Sequence, residues 1–258
     1  MHVHFVLAHP EPQSFNGSLV REGISVAEAI GWTVTMSDLY QMNFDPCERS
    51  NYFPVRAMPE RFDVQTEQRR ASDSNTLAPD ILEELERLDR ADLLILQYPM
   101  WWHMPPAILK GWFDRVWAFG AAYTSKMRFE NGRFAGKRAM LSVTVGLSRE
   151  CYMYDGRGGD IDLLLWPMNF SLAYGGYTVI APFVAYGVEG GLRYSDAEVV
   201  EMRLAQAMSD FRKILPQFGE RDVISFNRQS EWGPDGRIVS GAPVHSPFIR
   251  RKPVLDFE

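Results

Sequence analysis

The chain has 258 residues, 46% hydrophobic and 23% charged, which suits one compact globular domain or one domain plus an appendage. Its formal net charge of −6 comes with scattered rather than clustered lysines and arginines, so it lacks the basic face that nucleic acid or an anionic membrane would require. The two cysteines, Cys47 and Cys151, have neither the spacing of a disulfide framework nor that of a zinc site, which points to a reducing, cytoplasmic compartment.

The opening MHVHFVLAHPEP has no basic leader, and its short apolar run predicts a first strand rather than a signal peptide. SLVREGISVAEAIG follows with helical spacing, Ser18 as cap candidate and Gly31 as a stop, and WTVTMSDL predicts a second strand. A long polar stretch from Asn43 to Ala78 carries no periodic signal. PDILEELERLDR then opens on Pro79 and sets Ile81, Leu82, Leu85 and Leu88 on one face of a helix. ADLLILQYP and KRAMLSVTVG predict apolar strands separated by the helix AILKGWFDRVW. Residues Leu163 to Val188 carry no charge over a length that would cross a bilayer. Gly175-Gly176 would stop such a helix, however, and YTVIAPFVAYG suits a buried strand, so a helix over DIDLLLWPMNFSLAYGG and a fifth strand are expected instead. SDAEVVEMRLAQAMSDFRKIL predicts the last helix, capped by Ser195.

Apolar strands alternating with helices predict an α/β doubly wound domain, a five-stranded parallel sheet with helices on both faces, over residues 1–215. Residues 216–258 lose periodicity and predict an irregular extension. Its Phe226, Trp232 and Phe248 need burial on the domain or on a neighbouring subunit.

In open parallel sheets, ligands bind beyond the carboxyl ends of the strands, so function should be written in the loops after the first, third and fourth strands. The first loop delivers Ser14, Phe15, Asn16 and Gly17 to a helix N-terminus, whose free N–H groups favour a phosphate without any lysine or arginine. Plain capping by Ser14, Asn16 or Ser18 explains the same residues. The third-strand loop places Trp101, Trp102 and His103 toward solvent, which calls for something flat against them, either a cofactor or a protein partner.

Two other nucleotide or metal chemistries fail on residue type. HPEPQSFNG lacks the G-x-G-x-x-G spacing of a dinucleotide fold, leaving Asp38 a loop or cap residue. VLAHPEP faintly echoes a zinc deacetylase that opens with His-Pro-Asp-Asp. Here Glu11 and Pro12 stand where two aspartates are needed, and His2, His4, His103 and His245 form no helical ligand pair, so no metal site is expected.

The segments VLAHPEPQSFNGSL, SDLYQMNFDP, LQYPMWWHMPPAILKGWFDRV, AYT at Ala122 to Thr124 and GRGGDIDLLLWPM occur in an order and spacing that resemble the NAD(P)H:quinone oxidoreductases. These are flavodoxin-like flavoenzymes that include the mammalian quinone reductases and their bacterial relatives. The resemblance implies that Pro99, Met100, Trp101, Trp102 and His103 lie along the isoalloxazine ring, with Thr144, Val145, Gly146 and Leu147 at its other edge. It also implies that His9, Ser14, Phe15, Asn16 and Ser18 hold the flavin phosphates, and that Tyr152 answers charge on the reduced ring. Gly158 stands where mammalian members carry a relay histidine, so the relay is incomplete, with Arg157, Tyr154 or His103 as possible substitutes, and a histidine restored there would be expected to assist. Ser125 replaces a bulky pocket tyrosine and suggests a more open cavity. Tyr123 and Tyr174 are implied to line the acceptor pocket from the neighbouring subunit of a homodimer.

The implied activity is a flavin-dependent NAD(P)H dehydrogenase with FAD, or alternatively FMN, as cofactor. It would reduce quinone-like acceptors by alternating hydride transfers through flavin N5. The alternative from another class is a non-catalytic flavin-bound electron carrier, or a regulatory subunit that docks on another protein.

Overall fold

The computed structural model describes residues 1–191, 195–246 and 248–251, so positions 252–258 of the expected extension lie outside the described residues. Five strands, β1 (His2–Leu7), β2 (Thr33–Asp38), β3 (Leu93–Pro99), β4 (Arg138–Thr144) and β5 (Thr178–Ala185), pair in parallel in the order β2-β1-β3-β4-β5. This is the expected doubly wound α/β sheet. β3 is buried at every position, as a central strand covered on both faces must be. One face carries α1 (Phe15–Ala29) and α6 (Ala197–Ile214), where Leu19, Val20, Phe211 and Ile214 pack on Val3, Phe5 and Ile95. The other carries α3 (Pro79–Arg90), α4 (Ala107–Val116) and α5 (Ile161–Gly175), with Leu85, Leu88, Trp112 and Leu172 in its core.

The polar stretch before α3 also holds a helix, α2 (Val64–Asp73), which periodicity missed. Its buried positions are Glu67, Gln68 and Ala71, so it has almost no apolar face to read. Polar contacts hold it instead. Glu67 accepts from Arg56 Nε at 2.8 Å and from the Ala57 N–H at 2.7 Å, while Gln68 Oε1 accepts from the Phe119 N–H at 3.0 Å. Beside it Arg115, 1% exposed, bonds Asp80 and lies 4.1 Å from the Tyr52 ring centroid, which fastens the loop after β2 to α3 and α4.

Two expected caps move. Ser14, not Ser18, caps α1, its Oγ accepting from the Gly17 N–H at 3.2 Å. Asp196 is the N-cap of α6, and Ser195 donates instead to Glu189 at 2.7 Å. Ser18 lies inside the first turn of α1 and Ser195 just before the cap of α6, and the hydroxyl of each is bonded elsewhere. The segment with no charge divides into α5 and β5 as expected, and among the described residues no helix is long and apolar enough to cross a membrane.

The extension runs back over its own domain. Val223 forms an antiparallel bridge with Ile180, covering the outer edge of β5, where Pro182 and a register shift opposite Met140/Ser142 would otherwise leave the edge irregular. Phe226 lies 6.1 Å from Phe170 and Phe248 lies 4.9 Å from Trp166, so both touch α5, but Phe226 is only half-buried and Phe248 stays 56% exposed.

Candidate active site

The loops after β1, β3 and β4 meet at the carboxyl end of the sheet, as the topology requires. After β1 the chain turns at His9, whose Nδ1 accepts from the Glu11 N–H at 3.0 Å, and enters α1 at Phe15. Asn16 is buried, and its amide is turned into the sheet. It donates to Thr144 Oγ1 at 3.0 Å and accepts from Gln97 Nε2 at 2.7 Å. The side chains of Asn16, Gln97 and Thr144 thus tie the first turn of α1 to the carboxyl ends of β3 and β4. Ser14 Oγ is taken by the cap, and Ser18 Oγ donates to Ser14 O at 3.2 Å. A cation missed in the sequence also sits here, because it lies two helical turns in. Arg21 donates to Pro12 O at 2.7 Å and to Ser18 Oγ at 2.9 Å, leaning across the mouth of the loop.

The tryptophan loop is a tight hairpin. Trp101 and Met104 bond each other, N–H to O, at 2.9 and 3.1 Å, and the two residues between them, Trp102 and His103, have φ of +53° and +64°. Positive φ at both central positions is a turn that asparagine and glycine fill without strain; bulky side chains there cost roughly 1–3 kcal/mol each. The turn holds Trp102 93% exposed, with Trp101 42% exposed and 6.1 Å from the His9 ring. Met100 N–H donates to Thr144 O at 2.9 Å and anchors the hairpin to β4, while Pro99 is the last, buried residue of β3.

Thr144, the last residue of β4, and Val145 are buried, Gly146 is exposed and Leu147 is half-buried. Val145 N–H donates to Ala185 O and Gly187 N–H to Leu147 O, both at 2.9 Å, which pins this edge to the end of β5. A single helical turn, Arg149–Tyr152, then buries Tyr152 beside Tyr186, with ring centroids 6.2 Å apart. Burial pushes the Tyr152 phenol above its ordinary pKa, so it remains a proton donor through neutral and mildly alkaline pH. Gly158 closes against this turn. Its N–H donates to Cys151 O at 2.8 Å, and a Cβ there would meet the same oxygen at 2.8 Å and the Tyr152 ring at 3.0 Å. A histidine therefore does not fit at Gly158 without displacing Tyr152. Tyr154 is 83% exposed, and Arg157 and His103 are exposed as well. Asp38 accepts from the Gln41 N–H at 3.1 Å in a turn, a loop role.

Tyr123 and Tyr174 come together, with ring centroids 5.7 Å apart, but at the opposite end of the sheet. Both α4 and α5 start at the carboxyl end and run away from it, so the loop after α4 and the last turn of α5 reach the amino ends of β4 and β5. Between the two helices lies an apolar cleft of about 420 Å³, lined by His103, Met104, Phe113, Trp117, Pro167 and Met168 among others, that runs from one end toward the other. Among the described residues no group of three or more His, Cys, Asp or Glu is placed to hold a metal ion.

A family model described as "Flavodoxin-like fold" matches residues 1–214. NAD(P)H dehydrogenase [quinone] 1 of Cavia porcellus is 40% identical over 185 residues, 71% of this chain and 67% of its own length. A ribosyldihydronicotinamide dehydrogenase-like protein of Penicillium crustosum is 37% identical over 259 aligned residues, 95% of this chain and 96% of that one, so its match takes in the extension. Among solved structures, a Klebsiella pneumoniae protein assigned as a quinone reductase superimposes with a TM-score of 0.83 at 33% identity, covering 92% of this chain and 93% of that one. The chain belongs to the flavodoxin-like NAD(P)H:quinone oxidoreductase family.

Proposed function

We propose that the protein is a flavin-dependent NAD(P)H dehydrogenase that reduces quinones or similar acceptors to hydroquinones. The observation that carries this reading is the strained hairpin that holds Trp102 out in solvent, with its neighbour Trp101 beside His9 of the loop that leads into α1. Strain and exposure of a large aromatic are both unfavourable for the free protein, and both are accounted for if a flat ring lies along the loop. The residues fit a flavin. The Phe15 and Asn16 N–H groups of the first helical turn have no helical acceptor and would face a phosphate, with Arg21 beside them. Trp101, Trp102 and Met100 would exclude water from one side of the ring, and exposed Gly146 would bring backbone close to its other edge. When bound, the flavin supplies the two-electron chemistry, taking a hydride from NAD(P)H and giving it to the acceptor. The chain orients the donor and then the acceptor against one face, and Tyr152 holds a proton toward the oxygen on which charge develops.

FAD is the expected cofactor and FMN the alternative. Chromatography of the flavin released on denaturation identifies it. A colourless protein that neither flavin reconstitutes would overturn the reading.

The same reading includes a two-fold homodimer. An axis across the middle of the α4–α5 cleft would cover its apolar lining and carry the Tyr123–Tyr174 pair of one chain to the tryptophan loop of the other. Light scattering is expected to give a dimer at micromolar concentration; a fully active monomer would contradict it.

The strain also gives a test of its own. Replacing Trp102 by Asn and His103 by Gly supplies the residues that this turn prefers. The flavin-free protein is expected to melt a few degrees higher, at roughly 2–4 °C per kcal/mol, while flavin affinity falls at least about tenfold. Unchanged flavin affinity would mean that the hairpin is not part of the cofactor site.

A further inference from the structure

The amino-terminal end of the sheet holds a second cavity, of about 470 Å³, between the domain and the extension. Phe129, Phe170 and Tyr174 form aromatic walls from the domain side, and Gln229 and Trp232 close it from the extension. Arg128 is the cation in its lining. Its Nε donates to Gln229 Oε1 at 2.6 Å, its Nη1 lies 3.4 Å from Tyr174 Oη, and its Cζ lies 5.9 Å from the Tyr174 ring centroid, so all three contacts are to neutral groups. Among the described residues no carboxylate lies within ion-pair distance of it. The neighbouring Glu130 is engaged by the Gln229 N–H at 2.9 and 3.1 Å. Arg128 is half-buried, and Trp232 Nε1, buried nearby, has no acceptor either. Arg128 is thus a half-buried guanidinium without an anion, in a chain whose net charge is −6. A partly desolvated cation is stabilised when an anion is supplied, and a planar guanidinium suits a carboxylate, which it binds through two parallel N–H groups.

We propose that this cavity is an acceptor subsite for a planar aromatic or quinoid molecule bearing a carboxylate, with Arg128 as the specificity-determining counter-ion. This rests on the quinone-reductase reading, in which the Tyr123–Tyr174 end of one chain completes the site of the other, and it narrows the substrate class from quinones in general to acidic ones. Aromatic walls accept the ring. Neutral quinones would meet the same walls without the ion pair.

The test uses the flavin-loaded protein and two non-reducible probes of the same shape, naphthoate and naphthamide, with binding followed by calorimetry. The wild-type protein is expected to prefer the acid by about 10- to 100-fold, the range for a charge-assisted pair. Arg128→Leu should bring that preference to within about twofold, and Arg128→Lys, which keeps the charge but not the fork, should retain part of it. Equal binding of the two probes by the wild-type protein, or an acid preference that survives in Arg128→Leu, would overturn the proposal. NAD(P)H oxidation with menadione, a neutral quinone, separates it from the reading beneath it. Turnover without any acid preference sinks the subsite alone, whereas acid preference in a protein that reduces no quinone sinks the redox reading and leaves an aromatic-acid site.

Discussion

Tyr152→Phe is expected to slow reduction of the bound flavin by roughly 10- to 10³-fold while leaving the flavin bound, the loss typical of one donor aimed at a developing negative charge. Tyr152 is buried on the single turn after β4, and its raised pKa keeps the hydroxyl protonated over the working range. In the sequence, glycine in place of a relay histidine suggested that Gly158→His would restore a second donor. The structure reverses that expectation. The Tyr152 ring and Cys151 O already occupy the space, so Gly158→His should impair the enzyme rather than rescue Tyr152→Phe. Stopped-flow measurement of the reductive half-reaction decides both points. An unchanged rate in Tyr152→Phe would assign the charge to backbone amides, and rescue by the histidine would show that the turn opens more readily than its packing implies.

The largest stability effect is expected at Glu84, on α3. Its carboxylate is completely buried on α3, accepting from Ser37 Oγ at 2.7 Å and Trp112 Nε1 at 2.7 Å, and pairing with Arg87. Ser37 in turn lies 3.3 Å from His4 Nε2, and burial first of all holds that histidine down near a pKa of about 3, hence neutral. Glu84→Ala leaves the buried Trp112 indole N–H without an acceptor, Ser37 with only His4, and Arg87 with only its more exposed pair to Glu83. About 3–5 kcal/mol should be lost, or on the order of 10 °C in Tm. Glu84→Gln keeps the volume and should lose less, about 1–3 kcal/mol. Urea titration measures both, and a loss under about 1 kcal/mol in Glu84→Ala would show that the network is not a structural keystone.

Glu84 also shows where the sequence could be read and where it could not. The apolar pattern of α3 names Ile81, Leu82, Leu85 and Leu88, yet the structure buries Ile81, Glu84, Leu85 and Leu88 and leaves Leu82 at the margin. Hydrophobic periodicity finds the helix but not a charge that its partners hold in the core. The same blindness hid α2, whose buried side chains are mostly polar. The five strands and their helices were legible because a parallel sheet covered on both faces needs continuous apolar runs, and β3 shows that requirement in full. Of the candidate site, residue identities and their grouping into three loops could be read along the chain. Side-chain direction could not. Nothing in SFNGS says that Asn16 turns inward to Gln97 and Thr144, or that Arg21 folds back over Pro12, because both depend on contacts between segments far apart or a full loop away.

The central claim is that a flavin held against the tryptophan loop passes electrons from NAD(P)H to a quinone. Anaerobic mixing of the purified, flavin-loaded protein with NADH or NADPH, followed by addition of menadione, tests it most directly. The account predicts that the oxidised-flavin absorbance bleaches within the turnover time, returns when the quinone is added, and does so over many cycles. A bound flavin that neither nucleotide bleaches, or that bleaches but is not restored by any quinone, would contradict it.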